Sequence, residues 1–255
     1  MPTIDLNADL GEECADDAAM LDVVTTANVA AGGHAGGGAV LDSTVRDAAR
    51  RGVQVGAHPS YADRADFGRV SRLAQHDHSS LVALIRAQSL DVASACAEAG
   101  VPLVHVKAHG ALYHYVAAEE RAAEAMLVAV VEVSAEQGHP IAVVGPTTGV
   151  LMSACDRHGV QYVAEGFADR AYLGDGRLAP RSSPGAVLDD PDAVAAQAMS
   201  IAVDGMVRTV TGDVLRLHAQ TLCVHGDTPG AGALATTVRR ALESAGVRIA
   251  SVTRP

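Results

Sequence analysis

The sequence is poor in lysine and in aromatic residues, and it has no tryptophan. Its 255 residues include two phenylalanines, five tyrosines and 19 basic residues, of which only Lys107 is a lysine. Acidic residues number 30, so the formal net charge at pH 7 is −11 with the histidines neutral. This acidic balance argues against a nucleic-acid-binding surface and against binding to anionic membranes. Small acids and phosphates stay candidate ligands, because the local field of a site overrides the net charge.

Cysteines are also few, and none of them lies in a recognisable motif. The four cysteines are far apart and include no C-x-x-C pair, which predicts reduced thiols rather than disulfides or a zinc framework. The N-terminal segment MPTIDLNADLGEE lacks the basic and apolar regions of a signal peptide. No run approaches the ~18 apolar residues of a membrane span. We therefore expect a cytoplasmic protein that does not associate with membranes.

Strand-like and helix-like segments alternate along the whole chain. Hydrophobic residues make up 49% of the sequence, enough for one large core. Short apolar runs predict strands at 3–8, 25–30, 53–57, 103–107, 141–145, 160–164 and 221–225. Helices are predicted over 39–51, 79–99 and 119–137, from the Asp-Pro and Thr-Pro pairs at 190 and 228, and up to Gly246. This alternation predicts one α/β domain over residues 1–255, with a parallel sheet covered by helices.

Three of the predicted strands carry polar residues at every second position. The polar positions are 5, 7 and 9 in the first strand, 105, 107 and 109 in the fourth, and 221, 223, 225 and 227 in the last. Since side chains alternate across a strand and helices cover one face, the polar face must point elsewhere. A closed barrel with a polar lumen, open at the C-terminal ends of its strands, meets this requirement.

Ionisable residues follow six of the seven predicted strands. They are Asp9, His34, His58, Lys107, His109, Glu165, His225 and Asp227. Taken singly, each is more often a solvated loop residue or a hydrogen-bonded core histidine. Active sites of parallel α/β folds form at the C-terminal ends of strands, so we expect these side chains to meet in one site. The long connections 58–78 and 166–190 are predicted to be functional loops.

Lys107 lies between two histidines in the segment HVKAH. Neighbouring imidazoles and burial predict either a depressed lysine pKa or an ammonium held against an anion. A functional lysine here would neutralise a phosphate or an oxyanion. The structural alternative is a buried lysine paired with Asp9 or Glu165.

A metal site is a second open question. The sequence contains residue types that bind a divalent ion: carboxylates and an amide at positions 5, 7, 9 and 12, and histidines at 34, 58, 109 and 225. The spacings H-x-x-x-H and H-E-x-x-H do not occur in the sequence. The alternative is an acid–base network without metal, and we expect no tightly bound metal.

Seven segments of the sequence resemble the LamB/YcsF family. They are DLNADLGE (5–12), ANVAAGGHAG (27–36), GAHPSY (56–61), FGR (67–69), HVKAHGALY (105–113), FADRAY (167–172) and CVHGDTPGA (223–231). The resemblance implies a distorted seven-stranded β/α barrel, similar to that of polysaccharide deacetylases. It also implies opening of the lactam 5-oxoproline to L-glutamate with ATP and Mg²⁺, together with the 5-oxoprolinase subunits B and C. The chain departs from the usual family pattern at Gly33, Gly37 and Ala108, where phenylalanine, aspartate and proline are usual.

The reaction implied by this resemblance gives the candidate residues their roles. Lactam activation by phosphoryl transfer needs a base for water, an acid for the leaving amine and cations for the phosphoryl charge. The expected catalytic residues are Asp9 or Glu165 for water, His58 or His109 for proton transfer, and Lys107 for charge. The expected substrate-binding residues are Asn7, Asn28, His34, Tyr113, Arg170, Arg181, His225 and Asp227. The sequence has no nucleotide-binding motif, so the position of ATP stays open.

Two other classes of function fit the same residues. One is a metal-dependent hydrolase of the deacetylase type, whose activity a chelator would abolish and zinc would restore without ATP. The other is a non-catalytic subunit that binds substrate or organises partners, although a scaffold does not require so many ionisable residues. Charged residues make up only 19% of the sequence, which also fits a chain that hides surface in a homo-oligomer.

Overall fold

Seven parallel strands form a closed barrel in the computed structural model, which describes residues 1–253. The described residues form ten strands in all, of which seven belong to the barrel. In chain order they are β1 (Thr3–Leu10), β2 (Thr26–Ala30), β3 (Gln54–His58), β4 (Leu103–Lys107), β5 (Ala142–Pro146), β6 (Tyr162–Phe167), β7 (Met206–Arg208), β8 (Val214–Arg216), β9 (Thr221–Cys223) and β10 (Arg248–Ile249). Strands β1 to β6 pair in this order, and β9 pairs with both β6 and β1 to close the barrel. The β7–β8 hairpin lies outside this ring, and β10 pairs with the start of β1. The predicted seven-stranded α/β barrel is confirmed.

Helices cover the outside of the barrel. They are α1 (Asp17–Leu21), α2 (Gly38–Arg51), α3 (His78–Ala99), α4 (Gly110–Ala118), α5 (Glu120–Gln137), α6 (Val150–His158), α7 (Pro191–Met199) and α8 (Ala231–Ser244). Helices α2, α3 and α5 end at Gly52, Gly100 and Gly138, each in the left-handed conformation. Glycine adopts this conformation without strain from a Cβ, so the predicted helix ends agree with the observed ones.

The structure corrects the predictions near the C-terminus. Helix α8 begins at Ala231, because Gly230 rather than Thr228 takes the cap position. The last barrel strand ends at Cys223 and not at residue 225, since the backbone of His225 donates to an aspartate side chain instead. Helices α4 and α6 and the β7–β8 hairpin have no counterpart among the predicted elements.

The two faces of β1 have different surroundings. Its outward side chains are buried in the apolar core between barrel and helices: Ile4, Leu6, Ala8 and Leu10. Asp5 and Asn7 alternate with them, are only 2% and 1% exposed, and hydrogen-bond to side chains of β2 and β9. The polar lumen is confirmed, and hydrogen-bonded side chains fill it.

Helix α3 is long and apolar enough, by length and composition alone, to cross a membrane. Its residues Leu81, Ile85 and Val92 are fully buried within the main apolar core. A core helix passes the same test of length and composition, and one side of α3 packs on the main apolar core.

Candidate active site at the barrel mouth

A layer of hydrogen-bonded side chains fills the barrel just beneath its C-terminal mouth. The Asn28 Nδ2 group donates to Asn7 Oδ1 and to Asp9 Oδ1, both at 2.8 Å. His105 Nε2 donates to Asn28 Oδ1 at 2.7 Å. Asn7 Nδ2 in turn donates to Thr221 Oγ1 at 2.7 Å. The two asparagines, which were expected to bind substrate, therefore lie below the cavity and support its floor.

Space for the His105 ring depends on a glycine in the neighbouring strand. A Cβ atom built on Gly56 would lie 2.0 Å from His105 Nε2. Burial and the charge of Lys107 lower the pKa of His105 to about 3, so the ring is neutral at pH 7. Glycine thus lets the imidazole approach the backbone of β3 and keep its hydrogen bond to Asn28.

The single lysine of the chain forms a buried triad with two carboxylates. Lys107 Nζ lies 2.8 Å from Asp9 Oδ1 and 2.7 Å from Glu165 Oε1, and the side chain is 2% exposed. Burial lowers the pKa of Lys107, but the surrounding anionic groups, Asp9 first, outweigh burial and raise it well above its usual value. Burial likewise raises the pKa of Asp9, but the neighbouring His58 and Lys107 side chains outweigh burial and hold it well below its usual range. A depressed lysine pKa is therefore wrong; Lys107 is an ammonium held against anions.

Tyr113 and Cys223 complete the surroundings of this triad. The Tyr113 hydroxyl donates to Glu165 Oε2 at 2.8 Å, and Cys223 Sγ lies 3.4 Å from Lys107 Nζ. Burial raises the pKa values of Tyr113 and Cys223 well above their usual ranges. Both groups stay protonated at neutral pH, so Cys223 is a thiol and not a thiolate nucleophile.

Three histidines and a glutamate meet beside the triad. Glu12 Oε1 lies 2.8 Å from His34 Nε2 and 3.3 Å from His109 Nδ1. The same oxygen is 3.9 Å from His58 Nε2. The rings of His34 and His109 stack, with 3.5 Å between their centroids. Burial lowers the pKa of His34 to about 4 and also lowers that of His109, so both rings are neutral at pH 7.

Arginine side chains and an aspartate stand at the rim of a cavity of about 910 Å³ above the triad. Asp227 Oδ2 pairs with Arg69 and with Arg181 Nη1, the latter at 3.0 Å. Arg170 lines the same cavity, but its guanidinium donates to two backbone carbonyls of its own loop at 2.6 and 3.1 Å. Arg69 and Arg181 therefore share one carboxylate at the rim, whereas Arg170 holds the loop 166–190 in position.

The structure brings the predicted site residues together at one end of the barrel. Those that line the cavity are Asp9, His58, Lys107, His109, Tyr113, Glu165, Arg170, Arg181, His225 and Asp227. Asn7, Asn28 and His34 lie behind its wall. The predicted site residues do not include Arg69 or Asp169, which accepts hydrogen bonds from His225, and they include Glu12 only as a candidate metal ligand. The signal for Arg69 lies in the segment FGR, and that for Glu12 in DLNADLGE.

Comparison with known proteins places this barrel among its relatives. The sequence pattern of the LamB/YcsF family matches residues 4–255. The chain belongs to the LamB/YcsF family. It is 43% identical over 254 residues to the 5-oxoprolinase A subunit of Chloroflexus aggregans, with 98% of each chain covered. It is 34% identical to a lactam utilization protein from Thermus thermophilus, whose crystal structure matches with a TM-score of 0.87 over 97% of this chain and 99% of that chain.

The barrel is also similar to a more distant one. The T48 deacetylase, solved with its substrate, is 12% identical and matches with a TM-score of 0.51 over 100% of this chain and 94% of that chain. The expected likeness to deacetylase-type barrels is confirmed for the fold, and at this identity it concerns the fold alone.

The mouth of this LamB/YcsF barrel combines a fixed cation, a carboxylate and a basic rim. Lys107 supplies the buried positive charge, and the Asp9 carboxylate beside it is open to the cavity. Arg181 supplies a second cation about the mouth. This distribution places positive and negative side chains together at the mouth of one cavity.

Proposed function

We propose that this chain is the A subunit of an ATP-dependent 5-oxoprolinase, which opens the lactam 5-oxoproline to L-glutamate while ATP is hydrolysed to ADP and phosphate. The family and the names of its relatives support this assignment. The structural observation that carries it is the buried Lys107 ammonium between Asp9 and Glu165, on the floor of a cavity of about 910 Å³. Subunits B and C are the proposed partners, and the substrate is a small anionic lactam.

The first proposed step transfers the γ-phosphoryl group of ATP to the lactam oxygen and releases ADP. A lactam carbonyl is a poor electrophile, and phosphorylation of its oxygen makes the ring carbon open to attack by water. Phosphoryl transfer needs positive charge around the transferred group. Lys107 meets this need because the neighbouring anionic groups keep it protonated throughout.

In the second step water attacks the ring carbon and gives its proton to Asp9. The C–N bond then breaks, its electron pair moves to nitrogen, and Asp9 returns the proton to the leaving amine. The second proton of the attacking water also passes to the amine as the carbonyl group re-forms. The product is γ-glutamyl phosphate, which a second water molecule hydrolyses to glutamate and phosphate. Asp9 suits this role because one of its oxygens is bound to Lys107 while the residue still lines the cavity.

The rim of the cavity gives the remaining substrate groups their positions. We assign the carboxylate of 5-oxoproline to Arg181, since a guanidinium binds a carboxylate through paired donors. Arg170 is less suited to this role, because backbone carbonyls already occupy its donors. The cavity is larger than the lactam needs, and we assign the phosphates of Mg²⁺-bound ATP to the space near Arg69.

The test of this function is glutamate release from 5-oxoproline, measured for the chain alone and with subunits B and C. Release is expected only when ATP, Mg²⁺ and both partner subunits are present. Release without ATP that a chelator abolishes and zinc restores would select the deacetylase-type hydrolase instead. No release from a well-folded, fully assembled complex would overturn the assignment of the substrate.

A further inference from the structure

We propose that Glu12, His34, His58 and His109 bind one divalent transition-metal ion of the zinc class. Each of these buried side chains offers one ligand atom, and the four atoms all lie within 4.8 Å of one another. The proposal rests on the direction in which each imidazole presents its lone pair. It does not depend on the lactam reaction.

The hydrogen bond on the outer side of His58 fixes its tautomer. His58 Nδ1 lies 2.8 Å from the backbone carbonyl oxygen of Lys107. A carbonyl oxygen only accepts, so Nδ1 carries the hydrogen. In the neutral ring Nε2 therefore has a free lone pair, and this atom faces His109 Nδ1 at 3.0 Å.

The tautomer of His109 is fixed in the same way. Its Nε2 lies 2.9 Å from the backbone carbonyl oxygen of Phe67 and must donate to it, which leaves the lone pair on Nδ1. The 3.0 Å contact between His58 Nε2 and His109 Nδ1 thus joins two lone pairs. As long as His58 is neutral, neither atom has a hydrogen to give the other.

A serine fixes the tautomer of the third imidazole, that of His34. The Ser60 hydroxyl donates to the carbonyl oxygen of Tyr61 at 3.0 Å, so Ser60 Oγ is left to accept from His34 Nδ1 at 2.9 Å. The lone pair of His34 Nε2 then points at the Glu12 carboxylate, only 2.8 Å away. With all three rings neutral, four acceptor atoms therefore converge without a hydrogen among them.

A cation at the centre of this cluster would replace the repulsion between the four acceptor atoms with metal–ligand bonds. Metal-binding histidines usually donate their other nitrogen to an oxygen, as all three do here. A tetrahedral ion with bonds of ~2.0–2.1 Å holds neighbouring ligand atoms about 3.3 Å apart. The contacts measured in the cluster are 2.8, 3.0, 3.3 and 3.9 Å. Three imidazoles with one carboxylate suit zinc and its first-row neighbours, whereas Mg²⁺ and Ca²⁺ prefer oxygen ligands.

The ion would join the C-terminal ends of four neighbouring strands. Glu12 follows β1, His34 follows β2, His58 ends β3 and His109 follows β4. Binding would occupy the nitrogens that the sequence suggested for proton transfer, which leaves this transfer to Asp9, as proposed above. The expectation of no tightly bound metal is untested, and the geometry argues against it.

Metal content and cobalt spectroscopy test the site without any activity measurement. The purified chain is stripped with a chelator, dialysed against Zn²⁺ in excess Mg²⁺, and analysed by mass spectrometry. One zinc per chain is expected, and titration of the stripped chain with Co²⁺ should give the visible absorption of tetrahedral cobalt. A folded chain that retains no zinc and gives no such absorption would overturn the proposal and indicate a shared proton in its place.

Two variants locate the site and test the tautomer argument. His109→Asn is expected to lower zinc affinity at least ~100-fold, and Ser60→Ala ~10- to 100-fold because His34 loses its outer partner. His218→Asn changes an exposed histidine outside the cluster and should keep one zinc at wild-type affinity. Unchanged affinity in folded His109→Asn would overturn the site. Unchanged affinity in Ser60→Ala would overturn the assigned tautomer of His34, on which the proposal rests.

Discussion

Lys107 is the most constrained single residue of the site. Its nitrogen lies within 2.8 Å of two buried carboxylates that approach from different strands. A compact ammonium fits between them, whereas the longer, planar guanidinium of arginine has a different shape and donor geometry. This requirement explains why a chain that otherwise uses arginine for its basic residues has a lysine here.

Replacement of Lys107 by methionine is expected to lower the free energy of unfolding by about 3–5 kcal/mol, because two buried carboxylates lose their cation. Urea denaturation at pH 7 measures the change. The double variant Lys107→Met/Glu165→Gln should regain part of the loss, since it leaves only the Asp9 carboxylate. If Lys107→Met were as stable as the wild type, the triad would not be the buried ion pair described above.

The close approach of His105 to Gly56 gives a second testable prediction for a single residue. Gly56→Ala places a methyl group against the His105 ring and is expected to cost about 1–3 kcal/mol of stability. Gly174→Ala is the matched control, because a Cβ at that glycine meets no atom within 4 Å. Thermal unfolding of both variants measures the difference, and equal melting temperatures would contradict the close approach of His105.

Among the structural elements, α3 offers the clearest test of a helix start. The Asp77 side chain accepts a hydrogen bond from Ser80 N at 2.8 Å, and its bonds to Ser80 and Ser79 lower its pKa to about 2. Asp77→Ala is expected to lower stability at pH 7, because the helix loses its N-terminal cap. Because the folded pKa lies below the unfolded value of about 3.9, this contribution is complete above pH 4 and disappears as the pH falls towards 2.

Urea denaturation at a series of pH values measures this effect. The stability difference between Asp77→Ala and the wild type should shrink between pH 4 and pH 2. Asp91→Ala changes an exposed aspartate in the middle of the same helix and serves as the control. A difference that stays constant over this range would contradict the capping role of Asp77.

The loop between β6 and α7 is held at the mouth by one buried and one half-buried side chain. Arg170 donates to two of its carbonyls, and Gln197 Nε2 donates to three others at 2.8–3.1 Å. Arg170→Met is expected to speed proteolytic cleavage within 174–186, because buried carbonyls lose their donors. Arg177→Ala alters an exposed residue of the same loop and should leave the rate unchanged. Wild-type protection in Arg170→Met would show that the loop is held by other contacts.

Elements with local signals could be predicted from the sequence, and those without them could not. Helices α2, α3 and α5 end at glycines, a signal contained in the chain itself. Only two residues separate α4 from β4, and α4 has buried side chains at positions 111, 112, 113 and 116, so no polar stripe marks it as a helix. The strands β7 and β8 have three residues each, too few to show alternation.

For the whole molecule, strand order decides which residues meet, and distances decide what they do. The rule that parallel strands end at one edge was enough to place Asp9, Lys107 and Glu165 together. It did not reveal that Arg170 turns back to its own loop or that Arg69 comes from the connection after β3. Those contacts depend on how long loops fold over the mouth, which local sequence patterns do not encode.

The measurement that tests the account most directly compares glutamate release from 5-oxoproline by complexes assembled with wild-type, Lys107→Met and Asp9→Asn chains. Arg86→Ala, which breaks exposed ion pairs far from the mouth, is the control. With ATP, Mg²⁺ and subunits B and C present, both site variants should lose at least ~100-fold in rate while the complex stays assembled and folded, and the control should keep its rate. Wild-type rates in Lys107→Met and Asp9→Asn would contradict the claim that the lactam is opened at the mouth of this barrel.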